Sequence, residues 1–179
     1  MFFINENTEL TWFGVDFSRV KLIDQSGFTD PQQIRDQYFN SINLVVINEP
    51  KKYNLESIFN NKNIKSDLSI VKKRNLMPIV EELVIDISEK DLFISDGDIP
   101  SIVNEYNIDD DKDGIGIVFI VQSLINTHNN KIGNMYVTFF DIKTKNVLLT
   151  KLMSGEPEGF GFRNYWVRSV KNVLYQIQY

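Results

Sequence analysis

The run Asp109-Asp110-Asp111-Lys112-Asp113-Gly114 presents D-x-D-x-D-G, the opening half of a calcium loop, in which alternate carboxylates wrap a hard cation and the glycine permits a sharp turn. The second half is missing. The twelfth position counted from Asp109 is Ile120, where a bidentate glutamate would stand, and an apolar strand-like run follows. An acidic, solvated turn without tightly held calcium is the expectation, and a weak calcium or small-ligand site is the alternative. Gly155, Gly159 and Gly161 precede a closing helix, and a glycine loop feeding a helix can offer free N–H groups to an anion, with Arg163 nearby. The lysine and spacing of a phosphate loop are absent, however, and Glu156 and Glu158 repel an anion. The loop therefore reads as a sharp connection anchored by Phe160 and Phe162. Glu81 with Glu82, or Asp96 with Asp98, could divide acid–base work in a hydrolase, but nothing in the sequence selects one pair. His128, the single histidine, falls in a turn between Thr127 and Asn129, and no serine has a histidine and aspartate partner signature. With no cysteine there is no thiolate zinc site and no cysteine nucleophile. No catalytic residue, metal or cofactor is assigned. Trp12, Tyr165 and Trp166 are the candidate interface anchors, because Tyr and Trp at a polar-rimmed surface are common ones, with Trp166 better read as core; Trp12, Tyr165 and, beside the glycine loop, Arg163 are the binding candidates.

The chain that must position these residues has 179 residues, a formal charge of −5 and a pI near 4.9. Its densest basic runs are Lys51-Lys52 and Lys72-Lys73-Arg74, too short to displace many counterions, so no nucleic-acid partner is expected. No run approaches the roughly 18 to 20 apolar residues of a membrane helix, and none is expected to span a bilayer. The opening Met1-Phe2-Phe3-Ile4-Asn5 lacks the basic and long apolar regions of a signal peptide. No linker, repeat or low-complexity tract divides the chain, and one domain over residues 1–179 is expected.

Residues 10–17 alternate as a strand that continues toward Ile23, with Phe13, Val15 and Phe17 on one face and Trp12 on the other, toward a second layer or solvent. Asp30-Pro31-Gln32-Gln33 is a helix start, with Asp30 as cap and Pro31 in the first turn. Ile34, Tyr38 and Ile42 follow at helical spacing toward a stop at Asn48-Glu49-Pro50. The middle of the chain is harder to read: a short helix over 54–60, a strand over 67–73, an ambiguous run over 77–87 and helical turns over 101–106 are expected. Three strands then follow, over 115–126, 134–142 and 146–154, joined by connections short enough for a meander. Residues 162–179 close the chain as an amphipathic helix. Its stripe of Phe162, Trp166, Val170, Val173, Leu174 and Ile177 should face the sheet while Arg163, Lys171 and Gln176 face water. The fold class expected is α+β: a mainly antiparallel sheet with a C-terminal three-strand meander, packed by an N-terminal and a C-terminal amphipathic helix.

The strand Trp12 to Phe17, the strands Gly116 to Val121, Met135 to Ile142 and Thr144 to Thr150, and the closing helix resemble bacterial envelope domains of the TolB amino-terminal and curli-secretion CsgG type. The resemblance covers the last third of the chain and its first strand, and leaves residues 48–113 without a counterpart. It implies a small α/β module that serves assembly or interaction without chemistry of its own, with a protein partner or self-association, in an exported or periplasmic setting. Residues 154–166 are also similar to small proteins of Bacteroidetes, a likeness that implies no activity. A non-catalytic binding or assembly module is thus the leading expectation.

Overall fold

The computed structural model describes residues 8–178; the expectation drawn from Met1 to Asn5 lies outside them. Strands β1 (Leu10–Asp16) and β2 (Lys21–Ile23) are two parts of one interrupted strand, because both run along the same edge of β5 (Ile115–Asn126). Leu10 pairs with Ile115 and Asp16 with Ile120, then Lys21 pairs with Ser123 and Ile23 with Ile125, all parallel. Outside this column β3 (Ile64–Ser66) pairs parallel with β1, and β4 (Val84–Ile85) pairs parallel with β2. On the other edge of β5 the chain turns back as β6 (Lys131–Asp141) and β7 (Val147–Gly155), both antiparallel to their neighbours.

The sheet therefore corrects the expected class. Five strands, in the order β3-β1-β5-β2-β4, pair in parallel, and only β5-β6-β7 form the antiparallel meander. The parallel part escapes sequence reading because β2, β3 and β4 hold only three, three and two residues, too few for any periodicity to register. The short helix expected over 54–60 forms as α2 (Leu55–Ile58), but the strand expected over 67–73 is likewise corrected: the strand ends at Ser66, and α3 (Ser69–Arg74) follows as a helix.

Both faces of the parallel part of the sheet are covered, as parallel strands require, while β7 at the far edge is largely exposed. One core joins Trp12, Val15 and Phe17 to helix α1 (residues 31–48) and helix α5 (Phe162–Ile177); the second joins Phe13, Val118 and Phe140 to α3 and α4 (Ile99–Asn104). Phe13 thus faces away from Val15 and Phe17, against the simple alternation. The register against β5 slips between Trp12 and Gly14, so Phe13 is an extra residue, and every side chain beyond it changes face. Gly14 sits at φ +94°, and a Cβ there would lie 2.4 Å from the Asn43 side-chain oxygen, so only glycine fits.

Helix α1 begins as expected, with the Asp30 carboxylate accepting from the Gln33 N–H at 2.9 Å. It contains one π turn, Ile34–Tyr38, which advances the buried stripe by a residue and puts Phe39 flat on Phe17, centroids 4.4 Å apart. Helix α5 buries Trp166, Val167, Ser169, Val170, Val173 and Leu174. It approaches β6 and β7 closely because Gly133 and Gly155 lie under Ser169; a Cβ at Gly155 would sit 2.1 Å from the Ser169 carbonyl oxygen.

Candidate functional site

Between β3 and β4 the outer column of the sheet is missing, and side chains supply the hydrogen bonds a strand would have made. Asn43 of α1 accepts from the Val15 N–H at 2.7 Å and donates to the Val15 carbonyl at 2.9 Å. Asn75, just past α3, accepts from the Phe17 N–H at 2.7 Å and donates to the Val15 carbonyl at 3.1 Å. Both asparagines are buried, so this pairing is what keeps the backbone polar groups at the break from being orphaned.

Asp16 ends β1 at the break and is fully buried. It accepts from the Ser18 N–H at 2.8 Å, the Tyr106 hydroxyl at 2.9 Å and the Arg74 Nε at 3.1 Å. Arg74 also donates to Ser18 Oγ at 3.0 Å and to Glu105 at 3.1 Å, and Glu105 in turn accepts from Arg19 at 2.8 Å. Burial pulls the Arg74 guanidinium pKa down, but the charge of Asp16, the neighbouring Tyr106 and the hydrogen bonds to Glu105 and Asp16 together hold Arg74 above its ordinary value. Burial is also the main cause that lifts Tyr106 well above its ordinary value, reinforced by the Asp16 carboxylate. Burial pushes Glu105 up, while the Arg74 hydrogen bond and the Arg19 charge together bring it below its usual value. These groups saturate one another; their work is to fix the outward loop between β1 and β2.

That loop forms one wall of a groove. Ser18, Arg19, Val20 and Lys21 face Met77, Pro78, Ile79, Glu82, Leu83, Leu92 and Ile94 across a cavity of about 340 Å³. Lys21 donates to the Glu82 carbonyl at 2.8 Å, and Arg35 of α1 donates to the Pro78 carbonyl at 3.2 Å, which ties the opposite wall down. Met77, Ile79 and Leu92 stand at the rim more than half exposed, at 59%, 56% and 53%. Residues 76–98 carry seven acids, Glu81, Glu82, Asp86, Glu89, Asp91, Asp96 and Asp98, against the single base Lys90; 1 − 7 gives −6, more than the whole chain's −5. All seven are exposed. The groove is an apolar slot with Arg19 and Lys21 on one wall and the acidic stretch 76–98 supplying the other.

The sequence-based binding candidates lie elsewhere and apart. Trp12 is buried against Phe119 and Phe59, at 4.9 and 6.3 Å, out of a partner's reach, because the second face of its strand is covered as well. Tyr165 is half-buried, edge-on to Trp166 at 5.2 Å, in a cleft of about 440 Å³ that also holds Asp30, Tyr38 and Lys131. Arg163 lines a different groove of about 680 Å³ with Lys52, Arg168 and Lys171. In the acidic turn Lys112 folds back to the Asp67 carboxylate and approaches Asp109 at 3.5 Å, so an ammonium occupies the neighbourhood where a calcium loop would gather oxygens. Among the described residues no three acidic or histidine side chains cluster as metal ligands. The Asp98 carboxylate accepts from the Ser95 N–H and holds a local turn, Asp96 accepts from the Tyr136 hydroxyl of β6 at 3.3 Å, and His128 is exposed at the β5–β6 turn. Among the described residues no helix is long and apolar enough to cross a membrane.

Sequence reading passed over residues 76–94 because it sought secondary structure there. The usable sign was the coincidence of dense acid with Leu76, Met77, Ile79, Ile87 and Leu92, five apolar residues that no helical or strand period buries. Comparison of the chain with family models, curated proteins and solved structures found no match.

Proposed function

We propose that this chain is a non-catalytic binding or assembly module that docks a basic, amphipathic segment of a protein partner in the groove between residues 18–21 and 77–94. The carrying observation is the exposed apolar rim, Met77, Ile79 and Leu92, set in a strongly acidic stretch, residues 76–98. Exposed apolar patches with a polar surround mark interaction sites, and opposite charge selects and steers the partner. The absence of chemistry in this reading is supported by the engagement of Asp16, Arg74, Tyr106 and Glu105 with one another. The resemblance to envelope modules adds an exported or periplasmic setting.

The test uses three labelled peptides followed by fluorescence anisotropy: a helical Leu/Lys repeat, a Ser/Lys peptide of equal charge and a Leu/Glu repeat. The Leu/Lys peptide should bind at least ten-fold tighter than either control, weaken with salt, and lose that margin on the Met77→Ser, Ile79→Ser double variant, whose charge is unchanged. Equal binding of the Leu/Lys and Ser/Lys peptides, or indifference to the double variant, would overturn the reading.

A further inference from the structure

The cleft of about 440 Å³ that holds Tyr165 lies beyond the carboxyl ends of the parallel strands β2 and β5. The connection from β2 to α1 supplies Gly27 and Asp30 to its lining, β5 ends in it at Asn126, and α5 starts in it at Phe162. Open α/β sheets bind ligands outside the carboxyl ends of their strands, where the following helices turn their N-termini inward. The aromatic walls are built in advance: Tyr38 of α1 stacks on Phe162 at 5.1 Å, and Phe28 stacks on Trp166 at 5.8 Å, so rings from three parts of the chain hold one another in place. This cleft and the groove of residues 77–94 share no lining residue, so the two sites stand or fall separately.

Hydrogen-bond donors line the cleft without acceptors. Trp166 is only 2% exposed, yet its indole N–H meets no acceptor among the described residues and is not sealed from solvent as that of Trp12 is. A donor held this deep without an acceptor is costly, and a ligand oxygen would satisfy it. Lys131 is exposed and has no acid partner among the described residues. Gly161 begins α5 with no side-chain cap, which leaves first-turn N–H groups free. The one acid in the lining, Asp30, is engaged in capping α1, where the positive end of the helix dipole offsets its charge. Glu158, which would oppose an anion at the glycine loop, lines the neighbouring groove and pairs with Arg168 at 3.3 Å.

We infer that this cleft binds a small planar aromatic acid, with its ring among Tyr38, Phe162, Tyr165 and Trp166 and its carboxylate met by the Trp166 indole N–H and the Lys131 ammonium at the uncapped start of α5. Rings stack or meet edge to face, which favours a flat aromatic body over an aliphatic one. Hydrogen bonds to a charged acceptor are the stronger kind, which favours the acid over its neutral or cationic analogue. The volume falls in the range of small-ligand pockets.

The chain's two tryptophans give the test its readout: their indole N–H signals are followed by two-dimensional NMR on the nitrogen-labelled full chain, with Trp12, packed on Phe119 and Phe59, as the internal control. Indole-3-propionate should shift the Trp166 signal saturably and leave that of Trp12 in place. Tryptamine, which has the same ring and chain length but a cationic end, and propionate, the acid without a ring, should each bind at least ten-fold more weakly. Lys131→Gln, at an exposed position, should weaken indole-3-propionate at least five-fold and narrow its margin over tryptamine. Tyr165→Leu, which keeps apolar bulk but removes a ring, should weaken it to a similar degree. No saturable shift at millimolar indole-3-propionate, equal binding of tryptamine or of propionate, equal shifts at both tryptophans, or indifference to Lys131→Gln would each overturn the inference.

Discussion

At the scale of single residues, the hydrogen bonds that matter most lie where the sheet is broken. Asp16 has its charge met by Arg74 and by the Tyr106 hydroxyl inside the protein, where an unmet acceptor is costly. Tyr106→Phe should cost about 1.5 to 3 kcal/mol at neutral pH, as expected for a buried bond to a charged group. The pH dependence has a definite sign. The folded protein holds the Tyr106 proton more tightly than the unfolded chain does, so its contribution is complete below about pH 10 and drains away as the pH climbs from there toward the raised folded value. Urea melts at stepped pH should therefore show the difference between wild type and Tyr106→Phe shrinking above pH 10; a constant difference would refute the assignment. None of this was legible in the sequence. Asp16, Arg74 and Tyr106 are separated by 58 and 32 residues, and only the fold brings them together. The sequence leaves Trp12 open between a second layer and solvent for a related reason: its burial depends on what covers the second face of the sheet, which a strand's own alternation does not reveal.

At the scale of elements, the closing helix was the most legible part, because sixteen residues of 3.6 periodicity leave little ambiguity about which side is apolar. Val170→Ala or Leu174→Ala should cost about 2 to 4 kcal/mol, since both side chains are buried in the core shared with the sheet. Lys171→Ala should cost about 1 kcal/mol or less, the loss of its contacts over the Tyr53 and Tyr175 rings at 5.9 and 5.1 Å. Equal tolerance of both kinds of change in urea melts would mean that the helix is not part of the cooperative unit. The meander was legible too, through short turns and long β-rich runs, and β6 pairs with β7 from Gly133 to Phe140. Of the parallel strands, β1 and β5 were legible as strands, but their parallel pairing and the outer strands β3 and β4 were not. A two- or three-residue strand earns its place only from neighbours distant in sequence, and the bulge at Phe13 defeats simple alternation in β1.

At the scale of the whole molecule, β5 is the axis of assembly: β1 and β2 pair along one edge and β6 along the other. A chain ended after Gly114 keeps every residue of β1 to β4 but loses the strand on which β1 and β2 align. It should show no cooperative urea transition by circular dichroism; a sigmoidal melt would mean that the first 114 residues fold alone. The pairing of Leu10 with Ile115 spans 115 − 10 = 105 residues, so contacts this non-local make folding slow relative to a protein of local contacts. At roughly 5 to 20 residues per second on a ribosome, about 5 to 20 s separate the emergence of these two partners. Through that interval the nascent chain carries Trp12, Phe13, Val15 and Phe17 with no strand to receive them, which makes it a natural client for chaperones that shield apolar segments. The timing of translation through residues 115–126 then becomes a determinant of yield.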